Sequence, residues 1–280
     1  MNEANQYELC CQHILTSGSG SFHKPHIVIA ITTTDLDALR VSLPPLRRVA
    51  RGAVVVIYNN NPGEKLTRRM VRASHPRGKI YIINPEKNLG ELESHIDMVE
   101  FIRDKKIPCD WIMFVGATDI LIDATVPDVG DNTFAIVQNA TTLSDSVTDV
   151  FKVSPAWTNG APIGKTGPHF EINGTLIRSG ILFEFMDFLR TILPDVNDLL
   201  THARHRVPAS PLIWAGINTF VRTRHPEMSP IYMNRTNLVV IKLGRDDTRG
   251  LIPQKTIAST IKKFTKMIEI ATTQNMVAEK

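Results

Sequence analysis

Four short stretches of this sequence end in side chains able to hydrogen-bond a polar ligand. They read "TTTD" (Thr32 to Asp35), "NNNP" (Asn59 to Pro62), "NPEKNLG" (Asn84 to Gly90) and "GATD" (Gly116 to Asp119). Taken singly each is turn chemistry, because Thr, Asn, Asp and Gly supply the local bonds and backbone angles that turns need. What sets them apart is what comes before: each ends an apolar, β-rich run, "HIVIAI", "AVVVIY", "KIYIIN" and "WIMFV". In an open α/β sheet, ligands bind outside the carboxyl ends of the strands. Four such ends on one edge point to a nucleotide or sugar site.

Something must hold those ends side by side. The four runs alternate with helix-compatible segments, the pattern of a parallel sheet with crossover helices. Between the third and fourth, Leu92, Ile96, Val99 and Ile102 recur on one helical face. The Pro44-Pro45 pair in the first crossover predicts a broken helix, since an interior proline removes a backbone donor. Beyond residue 124 the pattern loosens into short strands ("TFAIVQ", "DVFKV") and helices around "GILFEFMDFLR" and "LIWAGINTFVR". A last helix carries Ile257, Ile261, Phe264 and Ile268 on one stripe that packs on the body of the protein.

With 280 residues, 42% hydrophobic and 21% charged, the chain has the composition of an ordinary globular protein. The +4 formal charge permits an anionic ligand without requiring one. Too few aromatics accompany the basic residues for a nucleic-acid stacking platform. Cys10, Cys11 and Cys109 have no metal-ligand spacing, which favours a reducing compartment. Neither an apolar leader nor a run of about 18 apolar residues is present, so the expected location is cytoplasmic. The expected organisation is a flexible lead-in (1–24), a nucleotide-sugar-binding half (25–124), an acceptor-binding and catalytic half (125–250) and a carboxyl-terminal helix (251–280).

In order and spacing, "VVVIYNNNP", "KNLGELESHIDMVEFI" and "MFVGATDIL" resemble the corresponding segments of GT-A glycosyltransferases of the family 2 type. The resemblance covers residues 26–240. It implies an α/β, Rossmann-like single domain whose mixed, mainly parallel sheet is flanked by helices. It also implies a donor site, with the first two strand ends at the nucleobase and the fourth at ribose, metal and diphosphate. The implied donor residues are Thr32, Thr33, Thr34, Asn59, Asn60, Asn61, Asn88, Gly116, Ala117, Thr118 and Asp119. Against the family's "FLDADDIL", Gly116 and Thr118 stand where two metal-binding aspartates belong, and Asp119 alone is retained. One carboxylate is a poor divalent site, so no metal or other cofactor is required, with weak Mn2+ or Mg2+ dependence through Asp119 left open.

A departing diphosphate then needs other cations. His202, Arg204, Arg206, Arg222 and Arg224, from "LLTHARHR" and "VRTRH", are the candidates. An inverting reaction also needs a base to take the acceptor proton. Alignment of "LPDVNDLL" with the family's "EDVDL" segment implies Asp195, with Asp198 and Glu171 as second and third candidates. "NGAPIGKTG" is no phosphate loop, because its first glycine is out of register and Pro168 stands where a helix should begin.

The expected function is therefore transfer of a sugar from a nucleotide donor, a UDP-sugar, to a hydroxyl of a glycan. The expected partners are that donor and acceptor, with no nucleic acid and no transmembrane segment. The alternative is a catalytically weakened protein that binds a sugar nucleotide or glycan. A nucleotidyltransferase is disfavoured because no Gly-rich, basic triphosphate loop follows "HIVIAI".

Overall fold

In the computed structural model, residues 25–50, 52–74, 79–143, 165–168, 171–202, 209–241 and 254–278 are described. Strand β1 (Ile27–Thr33) pairs in parallel with β2 (Val54–Asn59) on one side and β4 (Trp111–Gly116) on the other. Strand β3 (Lys79–Ile83) extends the sheet beyond β2, again in parallel. The crossovers are α1 (Leu39–Val49), α2 (Arg68–Ser74) and α3 (Gly90–Asp104).

The second half joins the same sheet. Strands β5 (Ile120–Leu121), β6 (Thr133–Leu143), β7 (Lys165–Pro168), β8 (Leu176–Arg178) and β9 (Ser229–Ile241) complete the order β3-β2-β1-β4-β8-β6-β9-β5, with β7 paired to β6. Strand β8 runs antiparallel to both β4 and β6, so the sheet is mixed. The segment "DVFKV", read as a strand in the sequence, lies outside the described residues.

Alternation along the strands distributes the core over both faces of the sheet. Val28, Ala30, Ile112 and Phe114 face one cluster with α3, α4 (Ser179–Thr191) and α6 (Ala209–Arg224), while Ile29, Ile31, Met113 and Val115 face the other with α1. Strands covered on both faces read as continuous apolar runs. That is why "VVVIY" shows no polar alternation.

Two sequence expectations meet different outcomes. Leu92, Ile96, Val99 and Ile102 are all buried on α3, as their spacing predicts. The helix at Pro44-Pro45 is not broken: both prolines lie inside α1. Leu39, Leu43 and Leu46 on that helix are buried, at about 1.5–3 kcal/mol each. Together they offset prolines that cost on the order of 3 kcal/mol apiece.

Helix α5 (Leu193–His202) leads toward α6, and α7 (Gln254–Ala278) packs on α6. Phe264 and Ile268 of the predicted stripe are fully buried. Gly216 permits the contact, because a Cβ there would lie 2.7 Å from Phe264 Cε1 and 3.0 Å from Phe185 Cζ. Gly216→Ala is therefore expected to destabilise the protein in a denaturant titration. Overpacking costs about 1–3 kcal/mol, against about 1 kcal/mol gained in helix propensity. A more stable variant would show that the helices have room to spare.

Candidate active site

Parallel register brings the four strand ends together. Thr33 stands opposite Asn59, and Thr32 opposite Gly116. A cleft of about 290 Å3 opens at this edge. Of the expected donor residues, Thr32, Thr33, Thr34, Asn60, Asn88 and Gly116 line it; Gly90, Glu91, His95, Val115 and Asn173 complete the wall.

The asparagines at the strand ends chiefly hold the backbone. Asn59 Nδ2 donates to Glu64 O (2.6 Å) and Asn84 Oδ1 (2.9 Å), while its Oδ1 accepts the Asn61 N–H. Asn84 in turn bonds both the N–H and the carbonyl of Leu66. Asn60 reaches across to α3: its Oδ1 accepts the Leu89 N–H and its Nδ2 donates to Gly90 O, each at 2.9 Å. Gly90 has φ +77 there, a left-handed conformation that favours glycine. Asn88 Oδ1 accepts the Gly90 N–H, and the Thr33 hydroxyl is occupied by the backbone of Asp35. Thr32 Oγ1, by contrast, is buried with no hydrogen-bond partner among the described residues.

The turn after β4 has an unexpected internal logic. Asp119 is buried and its carboxylate folds back, with Oδ2 accepting the Gly116 N–H at 3.1 Å while the Asp119 N–H donates to Gly116 O. A Cβ on Gly116 would come within 2.5 Å of Asp119 Oδ2. Glycine at 116 thus leaves room for the carboxylate above it. Ala117 and Thr118 are half-buried in this turn, outside the cleft lining. Among the described residues, no three His, Cys, Asp or Glu side chains converge as a metal site.

Across the cleft stands the first part of α3. His95 is only 3% exposed, its ring 4.7 Å from that of Phe114. Its Nδ1 lies 2.5 Å from Glu91 O. A carbonyl can only accept, so Nδ1 carries the proton and Nε2 is left as an acceptor. Burial lowers the pKa of the ring from its ordinary 6.5, keeping it neutral. Glu91 is exposed at the rim, its Oε2 accepting the Ala209 N–H at the start of α6.

The remaining expected residues are dispersed. Glu171 is half-buried two positions before Asn173, in a segment fixed by Gly174 N–H to Phe114 O and Asn237 Nδ2 to Gly174 O. Asp195 and Asp198 are exposed on α5, which touches α3 through Asn197 Nδ2 and Glu93 Oε1 (3.2 Å). Arg222 and Arg224 sit in the last turn of α6, whose first residue bonds Glu91. A 16-residue helix is about 24 Å long, and Arg224 is paired with Glu184 at 2.5 Å, so this cluster is not gathered at the cleft. Arg204, Arg206 and the His202 side chain lie outside the described residues. Sequence reasoning missed Glu91, His95 and Asn173; the one available signal was an imidazole on the apolar face of α3.

No family model matches the chain, and no curated protein matches it in sequence. Among solved structures it is similar to S. aureus TarS 1-349 in complex with UDP-GlcNAc, with a TM-score of 0.52 at 9% identity. The chain has the GT-A fold. The similarity covers 85% of this chain and 65% of that one, so the chain spans just under two thirds of that structure. TarS 1-349 in complex with UDP gives a TM-score of 0.48 at 10% identity, covering 87% of this chain and 69% of that one. No helix among the described residues is long and apolar enough to cross a membrane.

The buried His95 generates a pH prediction. Its folded pKa lies below the ordinary 6.5, so the unfolded chain binds the proton first as pH falls. The contribution to stability is complete above about pH 6.5 and diminishes below it, by up to about 1.4 kcal/mol per pH unit until the folded pKa is reached. Melting curves at pH 7.5 and 5.5 should therefore differ less for His95→Phe than for the parent protein. Equal differences would show that another group carries the dependence.

Proposed function

We propose that this protein transfers a sugar from a nucleotide-sugar donor, a UDP-sugar, to a hydroxyl of a glycan acceptor, with inversion and without dependence on a cation at the β4 turn. The observation that carries the reading is the cleft at the carboxyl ends of β1, β2 and β4, in a GT-A fold. That edge is where open α/β sheets bind ligands, and TarS, similar in fold, is in complex with UDP-GlcNAc. The folded-back Asp119 supports the cation-independent part, because Oδ2 is engaged by the backbone of its own turn.

Stabilisation by ligand tests the donor. A ligand that binds only the native state stabilises it by RT ln(1 + [L]/Kd), about 2.7 kcal/mol at a hundred times Kd. UDP is expected to raise the melting temperature more than CDP or GDP, and equally in manganese and in chelator. No shift with any nucleotide sinks the reading; a shift only with manganese sinks its cation-independent part.

For the base, Glu171 is the candidate nearest in sequence to the cleft lining, two residues before Asn173. Asp195 and Asp198 remain candidates on α5. Arg204 and Arg206, which precede Ala209 in the chain, are the proposed partners of the diphosphate. Replacing the true base by its amide should leave UDP binding intact and lower turnover by on the order of a hundredfold or more, since the group acts chiefly in the transition state. Comparing Glu171→Gln, Asp195→Asn and Asp198→Asn in release of UDP from UDP-GlcNAc identifies it. If all three retain full turnover, none of these carboxylates is the base.

A second reading is a protein of this fold that binds a sugar nucleotide or glycan without turning it over. It is favoured by the same Asp119 geometry, which withdraws the one carboxylate of the turn. UDP binding with no release of UDP from any sugar nucleotide would select it.

A further inference from the structure

The chemistry of the cleft wall is one-sided. No Lys or Arg is among the described residues that line it. Glu91 and His95 line the space from α3, the first with a carboxylate and the second with an unprotonated Nε2, and Thr32, whose Oγ1 has no hydrogen-bond partner among the described residues, lines it from β1. An ionised carboxylate only accepts hydrogen bonds and has about four lone-pair sites. The Ala209 N–H takes one of them, which fixes the group and leaves the rest available. His95 Nε2 makes no hydrogen bond among the described residues, although the ring is almost wholly buried. A diphosphate, rich in acceptors and negatively charged, meets no cation among the described residues of this wall. A neutral ligand that presents hydroxyl donors is complementary, and about 290 Å3 suits a nucleoside better than a whole sugar nucleotide.

We propose that Glu91 and His95 together bind the 2′- and 3′-hydroxyls of the donor's ribose, so that the ribose is read from α3 across the cleft from Gly116. This rests on the nucleotide-sugar reading above. Neighbouring hydroxyls on a ribose ring offer two donors about 3 Å apart, and a carboxylate bonded to a ribose hydroxyl is a recurrent nucleotide-binding device. Acceptors fixed by Ala209 and by the Glu91 carbonyl bind with little ordering cost. Two side chains one helical turn apart on α3 lie on the same face, as joint recognition of adjacent hydroxyls requires.

The experiment compares the affinities of UDP, 2′-deoxy-UDP and 3′-deoxy-UDP for the full chain by calorimetry, in the parent protein, Glu91→Gln and His95→Phe. Glutamine keeps an oxygen for the Ala209 N–H, phenylalanine keeps the ring against Phe114, and circular dichroism checks that both variants fold. In the parent protein, loss of a hydroxyl bonded to a charged or buried acceptor should weaken binding by at least about tenfold. Each variant should reduce the penalty for one hydroxyl several-fold while binding UDP itself more weakly. Equal affinity of the parent for UDP and both deoxy compounds overturns the inference and leaves the donor reading standing. An unchanged penalty in either variant overturns the paired assignment. Failure of UDP to bind at all overturns both readings together.

Discussion

A single buried amide joins the elements that form the cleft. The Asn60 backbone N–H donates to Thr33 O at the end of β1, while its side chain spans Leu89 and Gly90 at the entry to α3. Three segments distant in sequence are held by one residue. An unmade hydrogen bond in a buried site costs about 1–3 kcal/mol, so each bond restricts where the others can lie. Because α3 carries Glu91 and His95, the position of both acceptors relative to the strand ends follows from this clamp. The left-handed Gly90 completes it, since the chain must turn sharply there to present its carbonyl to Asn60.

A comparable economy operates at β4. The Asp119 carboxylate and the Gly116 backbone close the turn on themselves, and the absence of a side chain at 116 follows from the space that the carboxylate fills. Compared with family 2 enzymes in sequence, this position looks like the loss of a ligand. In the structure, glycine there leaves the space that Asp119 Oδ2 occupies.

What was legible in the sequence was what period and strand-end chemistry encode. Strands β1 to β4, the buried face of α3 and the edge at which the cleft opens all follow from local patterns. The prolines of α1 misled because burial of Leu39, Leu43 and Leu46 is tertiary, and propensity yields to it. The role of Asn59 was hidden for the same reason: an asparagine at a strand end looks alike whether it faces a ligand or, as here, bonds Glu64 and Asn84. His95 falls on the apolar face of α3 and passes for core until Phe114 and the cleft appear beside it. Arg222 and Arg224 stand out in the sequence as a basic cluster, yet the length of α6 carries them to its far end. No short-range pattern encodes that distance.

The distribution of charge around the cleft gives the proposed donor an orientation. Among the described residues the wall carries a carboxylate, a neutral imidazole and hydroxyls, so the proposed donor would place its uncharged nucleoside here and its diphosphate outward. Past Gly116, the residues of the β4 turn are Ala117, Thr118 and Asp119, and the acid among them has its Oδ2 directed to the backbone. Divalent cations serve such sites by bridging carboxylates to phosphate oxygens that would otherwise repel one another. With Oδ2 of the acid directed to the backbone, the proposed donor would meet less of that repulsion and have less need of a bridging cation. On the proposed donor reading, the inward Oδ2 at β4 and the carboxylate at the rim of α3 become two parts of one arrangement, in which negative charge is kept from the diphosphate and acceptors stand where the ribose hydroxyls would enter.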